Sequence, residues 1–570
     1  MSLQTLNHFF QNLKQRLMPI AKARTILALI ALFFVYYSNH VSIWAGDSFG
    51  SSVFAANLIQ NHTIYFDAVT KHQFWPSDAF FFTPTVTKHT FSSYPLLPML
   101  IYAPFNAIYY FLSPDCVVPV FSAEFESCRL SSDKFSSAIL ATIAALLFYR
   151  IAAFVLRHRC SAFLATIFYA LGTNHFITSS QSNWQHGPIE LLCLIAIGLT
   201  LGVWTKNSSL FKPTLDWVKS FVLFFILGLL IWLRVTNGIW ALPFFFWLAS
   251  HRRQDRFGRL VLAAAVGLCF GMLGYVWNYR EFGSFIGGYS TLLSGPLVEV
   301  SPRQFYEGAH GLLLSAGRGI FFITPIVVLA FAYWPRATAT PESSRFQLLN
   351  AWRLSAVGLL IFYCFYRIWW GGWSMGARLL TDSMPILVLC AAVAVEKSRS
   401  KYFKLIYLVA GIVGVGNQLC LAFGASGLYG HQYDRLNFSN PEIAYKNWHD
   451  PALLRAYLAV YNKAFYPASF WADEIATENS SACILSGAAS DLEIEVVNRG
   501  SAIWIGFQGG SSSPPQLSLL VNGRSEIFFL KNRFVGPGQN GKFVNFKNLP
   551  RGTSTVEQLS WGNRALSLRC

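Results

Sequence analysis

The sequence predicts a polytopic α-helical membrane protein of about 11 spans, closed by a C-terminal extracytoplasmic β-sandwich, on three observations. Of its 570 residues, 54% are hydrophobic and only 12% charged, against roughly 25% charged in soluble domains. Apolar runs of about 18 residues or more, enough to cross a bilayer, recur along most of the chain. The net charge of +17 is concentrated in short clusters between those runs, the positive-inside pattern and not a nucleic-acid-binding patch. An ordinary soluble enzyme and a nucleic-acid binder are thereby excluded.

The elements follow in order. Lys14, Arg16, Lys22 and Arg24 precede the apolar stretch 25–43, which reads as an uncleaved first span with its N-terminus cytoplasmic. Residues 44–134 then form a long first external loop with juxtamembrane helices. Within it, 94–112 is apolar but interrupted by Pro95, Pro98 and Pro104 and followed by acidic residues. It is therefore expected to lie in or partly enter the interface, with a true span, which would place the acidic loop inside, as the other reading. Further spans are expected at about 135–156, 160–178, 187–204, 218–233, 238–250, 258–277, 318–335, 351–368, 379–396 and 403–424. Basic groups such as Arg157 and Arg159, Arg252 and Arg253, and Lys397 to Lys404 fall on alternate, cytoplasmic ends. Gly267 and Gly271 make a small-xxx-small pattern that reads as helix packing. The membrane domain is expected to cover 1–424.

Residues 425–480 read as an extracytoplasmic linker, with an amphipathic helix near the membrane surface at 451–466. From 481 to 570 the pattern turns to short strands at 492–498, 502–508, 516–521, 526–530, 543–546 and 565–569. Asn522-Gly523 between apolar runs is a hairpin signal of the primed-turn type. Topology places Cys116, Cys128, Cys483 and Cys570 outside, where they divide into two local pairs, Cys116 with Cys128 and Cys483 with Cys570. An oxidising compartment favours disulfides there, with free thiols as the other reading.

The middles of the spans are almost free of Asp and Glu. Ionisable groups gather instead at the expected external face: Asp47, His186, Glu190, Arg234, Arg318, Arg378 and Asp382. Asp47, in Trp44-Ala45-Gly46-Asp47-Ser48 directly after the first span, is a candidate general base for an attacking hydroxyl. A helix cap accounts for the same residue.

A long first loop with an acid directly after span one resembles the GT-C superfamily of polytopic glycosyltransferases. Within it, the chain resembles the branch of protein O-mannosyltransferases and aminoarabinose transferases. Ser93-Tyr94-Pro95-Leu96-Leu97-Pro98 occupies the position of the family's Tyr-Pro-Pro helix but lacks the second adjacent proline. Trp184-Gln185-His186-Gly187-Pro188, Gly317-Arg318-Gly319, and Trp369-Trp370-Gly371-Gly372-Trp373 with Arg378-Leu379-Leu380-Thr381-Asp382 are similar to segments of bacterial members. The resemblance covers about 20–424.

The resemblance implies a polyprenyl-phosphate sugar as donor, inverting transfer to an external glycan, lipid or protein acceptor, and Asp47 as base. It implies a bacterial inner membrane as the location, with the bilayer and the lipid-linked donor as partners. The departing phosphate needs cations, and Arg378 and Arg318, beside glycines, suit it through the planar guanidinium fork. His186, Lys88 and His89 are further candidates for that phosphate. Asp67 and Asp78 are candidates for a second acid, or turn caps, and Trp373 for stacking on a sugar. No cofactor or metal is required by the pattern, although a divalent ion beside Asp47 stays open. A lipid or polysaccharide transporter would predict internal repeats and midplane charges, which the sequence does not show. A surface-glycan polymerase or ligase would predict a large external loop late in the membrane domain, whereas the largest loop here is the first.

Overall fold

The computed structural model describes most of residues 27–424 and the backbone of strands beyond 475. Residues 1–26, 72–80, 204–215, 252–256, 293–296, 334–340, 425–447, 461–474 and shorter stretches lie outside the described residues. The longer helices, in chain order, are α1 Gly46–Asn61, α2 Leu96–Leu112, α3 Phe125–Val155, α4 Arg159–Gly172, α5 His186–Leu201, α6 Asp216–Leu233 and α7 Ala241–Ser250. They continue as α8 Phe257–Gly271, α9 Leu273–Phe282, α10 Pro302–Leu314, α11 Pro341–Cys364, α12 Met384–Lys397 and α13 Lys401–Gly424.

Among the described residues, six helices are long and apolar enough to cross a membrane: Phe125–Val155, Asp216–Leu233, Phe257–Phe282, Arg345–Cys364, Arg378–Lys397 and Lys401–Gly424. The chain is a multi-pass membrane protein. Leu262, Val266, Phe270, Leu273 and Val276 stand exposed along α8 and α9, a contiguous apolar face that water would penalise and lipid would not.

The expected 11 spans are not all met by full-length helices. Leu96–Leu112, Arg159–Gly172, His186–Leu201 and Val235–Ser250 are apolar but shorter. The stretch expected as a span at 318–335 is instead a single helical turn, Ile320–Ile323, and a 3-10 segment, Pro325–Phe331. Pro325 has no N–H to give and its ring blocks the preceding turn, so the helix stops at Thr324 (φ −136°, ψ 63°).

The chain divides into two compact units, one made of Met1–Pro296, Ile326–Leu360 and Leu380–Leu408, the other of Leu297–Pro325, Ile361–Leu379 and Val409–Cys570. In the first unit, α6 and α8 approach closely because glycines line the contact. A Cβ on Gly267 would lie 2.2 Å from the Phe221 carbonyl oxygen, and one on Gly271 2.3 Å from that of Phe225. The Gly267/Gly271 pattern is thus a packing face. Gly267→Val is expected to destabilise the fold by about 1–3 kcal/mol, because backbone and not a flexible side chain blocks the new atoms. Thermal unfolding in detergent checks this, and an unchanged midpoint would refute it.

The first loop builds an aromatic core under α1. Phe66 and Phe91 stack at 5.4 Å and Phe49 and Phe81 at 4.4 Å, and Phe82, Phe121 and Phe125 are buried with them. A short antiparallel pair, β1 Phe82–Pro84 and β2 Thr90–Ser92, crosses this core. The Cys116–Cys128 disulfide is formed, with Cα atoms 5.5 Å apart. Arg129 of α3, fully buried, holds Glu126 with both carboxylate oxygens (2.6 and 2.7 Å) and donates to Ser52 Oγ at 2.9 Å. Its guanidinium lies 4.9 Å from the Phe49 ring centroid, which ties α1 to α3.

The second unit carries α10, α13 from Val409 onward, and the C-terminal strands. These are β3 Ile475–Ala476, β4 Glu493–Asn498, β5 Trp504–Ile505, β6 Gln516–Val521, β7 Arg524–Leu530, β8 Phe534–Val535, β9 Asn540–Val544, β10 Val556–Trp561 and β11 Arg564–Leu566. They form a seven-stranded sheet of order β11-β10-β6-β7-β9-β4-β3 and a separate β5-β8 pair. Val521 pairs with Arg524, leaving Asn522-Gly523 as the two-residue connection of the expected hairpin. Cys483 and Cys570 lie outside the described residues. So does most of the helix expected at 451–466, of which residues 453–454 and 456–457 are helical.

Candidate active site

Asp47 occupies the first turn of α1 and is half-buried. The apolar helix at 30–37 ends ten residues before it. The entering chain is pinned by an Ile43 N–H bond to the Gln181 carbonyl (3.2 Å) and by Trp184 Nε1–H donating to the Ile43 carbonyl (3.0 Å). The first N–H groups of a helix favour a carboxylate. Asp47 is therefore held at the mouth of a helix whose following face, Ser48, Phe49 and Gly50, is buried.

Asp67 and His89 come together. His89 Nδ1 is 2.7 Å from Asp67 Oδ2, and both side chains are nearly half exposed. Asp67 Oδ1 accepts the Thr90 N–H at 2.6 Å, and Tyr65 stacks on the His89 ring at 4.1 Å. Asp67 thus fastens the start of β2. Lys88, one residue earlier, is exposed with a left-handed backbone (φ 65°). Burial and then the nearby Glu281 carboxylate push the Tyr65 phenol up from its ordinary value, so it stays a donor to Glu281 Oε2 at 3.2 Å. Asp78 and Trp373 lie outside the described residues.

His186, expected to face a phosphate, is fully buried at the start of α5. Its Nδ1 lies 2.6 Å from Asp382 Oδ1, while Arg234 Nη2 is 3.5 Å from His186 Nε2 and Arg234 Nη1 is 3.8 Å from Asp382 Oδ2. Arginine only donates, so the Nε2 facing it accepts and the proton sits on Nδ1, directed at the carboxylate. His186 is thereby engaged by Asp382, and the member of the group that reaches the surface is Arg234, at 15% side-chain exposure. Sequence reasoning placed Arg234 and Asp382 at the same face but gave neither a role. No spacing signal joins positions 186, 234 and 382. Glu190, one turn further along α5, is also fully buried, 2.8 Å from His175 Nδ1 and 3.2 Å from the Tyr169 hydroxyl.

Arg318 and Arg378 belong to the second unit. Arg318 is buried and donates through Nη2 to the Gly372 carbonyl at 3.1 Å, and Arg378 Nη2 donates to the Gly371 carbonyl at 2.5 Å. Both carbonyls are presented by glycines in the left-handed region, φ 77° and 69°. The Gly-Gly pair is therefore the receptor for two guanidiniums, which explains why glycines stand beside these arginines. Gly371→Ala is expected to cost about 1–3 kcal/mol, since a Cβ is strained at that φ. A melting midpoint equal to that of wild type would contradict the reading. Among the described residues, no group of three or more His, Cys, Asp or Glu side chains is arranged to hold a metal ion.

No family model matches the sequence, and no curated protein matches it. Among solved structures, it is similar to ArnT from Cupriavidus metallidurans bound to undecaprenyl phosphate, at 11% identity and a TM-score of 0.41, over 78% of this chain and 71% of that one. It is also similar to the archaeal oligosaccharyltransferase AglB from Archaeoglobus fulgidus in complex with an inhibitory peptide and a dolichol-phosphate, at 14% identity and a TM-score of 0.42. That match covers 73% of this chain and 58% of AglB. At these identities and TM-scores the likeness carries no argument about function.

Proposed function

We propose that this chain is a membrane glycosyltransferase that moves a sugar from a polyprenyl-phosphate donor to an acceptor on the extracytoplasmic face, with inversion and with Asp47 as general base. The observation that carries the reading is the placement of Asp47: a half-buried carboxylate at the mouth of α1, where the chain leaves an apolar helix. A base there meets a hydroxyl arriving from water and an anomeric carbon arriving from the lipid. Proton removal by a positioned carboxylate contributes about 10²–10⁴-fold to such a transfer.

The remaining roles follow from charge. Arg378 and Arg318 carry guanidiniums that suit a departing lipid phosphate. In the first loop, Lys88 and His89, exposed or half-exposed beside β2, are cations suited to a phosphate as well. The Cys116–Cys128 disulfide supports an oxidising, extracytoplasmic side for that loop. The β-rich tail is an accessory domain on the same side. Neither a cofactor nor a metal enters this scheme.

The test is purified protein with labelled polyprenyl-phosphate sugars of varied hexose and pentose, scored for transfer and for the anomeric configuration of the product. Folded protein that moves no sugar from any donor, or a product of retained configuration, would overturn the proposal. Orientation has a separate check. A cysteine placed at Glu124 is expected to react with a membrane-impermeant maleimide on intact spheroplasts. Labelling only after permeabilisation would put the first loop inside.

A further inference from the structure

Residues on both sides of Asp47 lead to one buried carboxylate, Ser42 directly and Ser48 through Ser182. Asp133, in α3, is fully buried. Its Oδ2 accepts the Ser42 hydroxyl at 2.6 Å, and its Oδ1 accepts the Asn183 N–H at 2.8 Å. Ser182 Oγ lies 2.6 Å from the same Oδ2 and 2.9 Å from Ser48 Oγ. A hydroxyl has one proton and a carboxylate can only accept, so Ser182 donates to Asp133 and receives from Ser48. Ser42 stands five positions before Asp47 and Ser48 one position after it. The intervening backbone is pinned by the same partner segment through the Gln181 carbonyl and the Trp184 indole.

A cap or a packing residue would need none of this. Ser42 precedes α1 and Ser48 lies in its first turn, and the buried carboxylate that links them is on α3. A carboxylate out of water is costly unless its lone pairs are taken, and here the three donors that take them are Ser42, Ser182 and the Asn183 N–H.

We propose that Asp133 is a positioning residue for Asp47, fixing the base by holding Ser42 directly, and Ser48 through Ser182, against the 181–184 segment. This rests on the reading of Asp47 as the base. Loss of Asp133 leaves the carboxylate of Asp47 chemically intact but loosens the backbone that places it, and a displacement of about 1 Å in a reacting group costs on the order of 10²-fold in rate.

The experiment compares wild type, Asp133→Asn, Ser42→Ala with Ser182→Ala, and Asp47→Asn, all as full chain in detergent. For Asp133→Asn, kcat is expected to fall at least about tenfold while the donor KM stays within about twofold, since the lost function is orientation in the transition state and not donor binding. Hydrogen–deuterium exchange gives a readout independent of turnover. The 42–50 peptide is expected to exchange at least about tenfold faster in Asp133→Asn and in the double serine variant, with the 216–233 and 384–397 peptides unchanged. Unchanged exchange at 42–50 overturns the proposal, and so does acceleration spread over every helix, which marks a merely structural role. If Asp133→Asn does not fold, the double serine variant carries the exchange test. If Asp47→Asn retains full transfer, the base assignment fails instead. Full kcat in Asp133→Asn beside an inactive Asp47→Asn overturns the positioning role alone.

Discussion

Asp47→Asn is expected to lower the rate of sugar transfer by about 10²–10⁴-fold with little change in donor KM. Asparagine has the same shape and can still accept a hydrogen bond at the mouth of α1, so the helix start should survive. What it lacks is a group that takes a proton at neutral pH. An effect confined to kcat therefore separates chemistry from the alternative in which Asp47 only caps α1. In that case asparagine at the same first-turn position would leave the rate untouched and lower stability by only about 0.3–1 kcal/mol, the lost interaction of the charge with the helix start. Initial rates with a labelled donor, alongside the thermal midpoint in detergent, decide the matter. A rate within about threefold of wild type at unchanged midpoint would sink the assignment, because a lost general base is worth far more than that.

Asp382→Ala is expected to destabilise the folded protein by about 3–5 kcal/mol, the cost of removing one member of a buried charged group. Asp382 and His186 are buried to within 1% of side-chain exposure, and Arg234 closes the group at 15%. Removing the carboxylate takes away the acceptor for His186 Nδ1–H and the negative charge facing Arg234 together. Asp382→Asn keeps an acceptor for the imidazole and should cost less, about 1–3 kcal/mol. The cost of Asp382→Asn is the sharper part of the prediction, since asparagine fills the same volume, leaves no cavity and removes only the charge. Chemical or thermal unfolding in detergent measures it. A midpoint for Asp382→Ala equal to wild type would show that the group contributes nothing to the fold.

Much of the fold was legible because a bilayer imposes a one-dimensional rule. Apolar runs such as 135–156, 218–233 and 403–424 must become helices, as every backbone polar group there needs an internal partner. Gly267 and Gly271 read as packing from spacing alone, and the structure gives them that role. The Cys116–Cys128 pair was legible from the expected topology, and the β6–β7 hairpin from Asn522-Gly523. The break at Thr324-Pro325 was announced by its proline, yet the hydropathy of 318–335 outweighed it in the sequence reading. Hydropathy averages over a window, whereas a helix stops at a single missing N–H.

The candidate site divides along the same line. The sequence by itself determined that this is a multi-pass membrane protein, that an acid follows its first apolar segment, and that cations gather near Gly-rich turns. Only the tertiary structure decided what those side chains do. It turned His186 inward onto Asp382, gave Arg318 and Arg378 the carbonyls of Gly372 and Gly371, and joined Asp67 to His89. It also brought Ser42 and Ser182 onto Asp133 and Ser48 onto Ser182, positions 42 to 182 in a chain with no periodicity to link them. The physical reason is range. Hydropathy and turn chemistry act between neighbours in sequence, while a buried carboxylate is satisfied by whichever donors the packing of distant helices brings within about 3 Å.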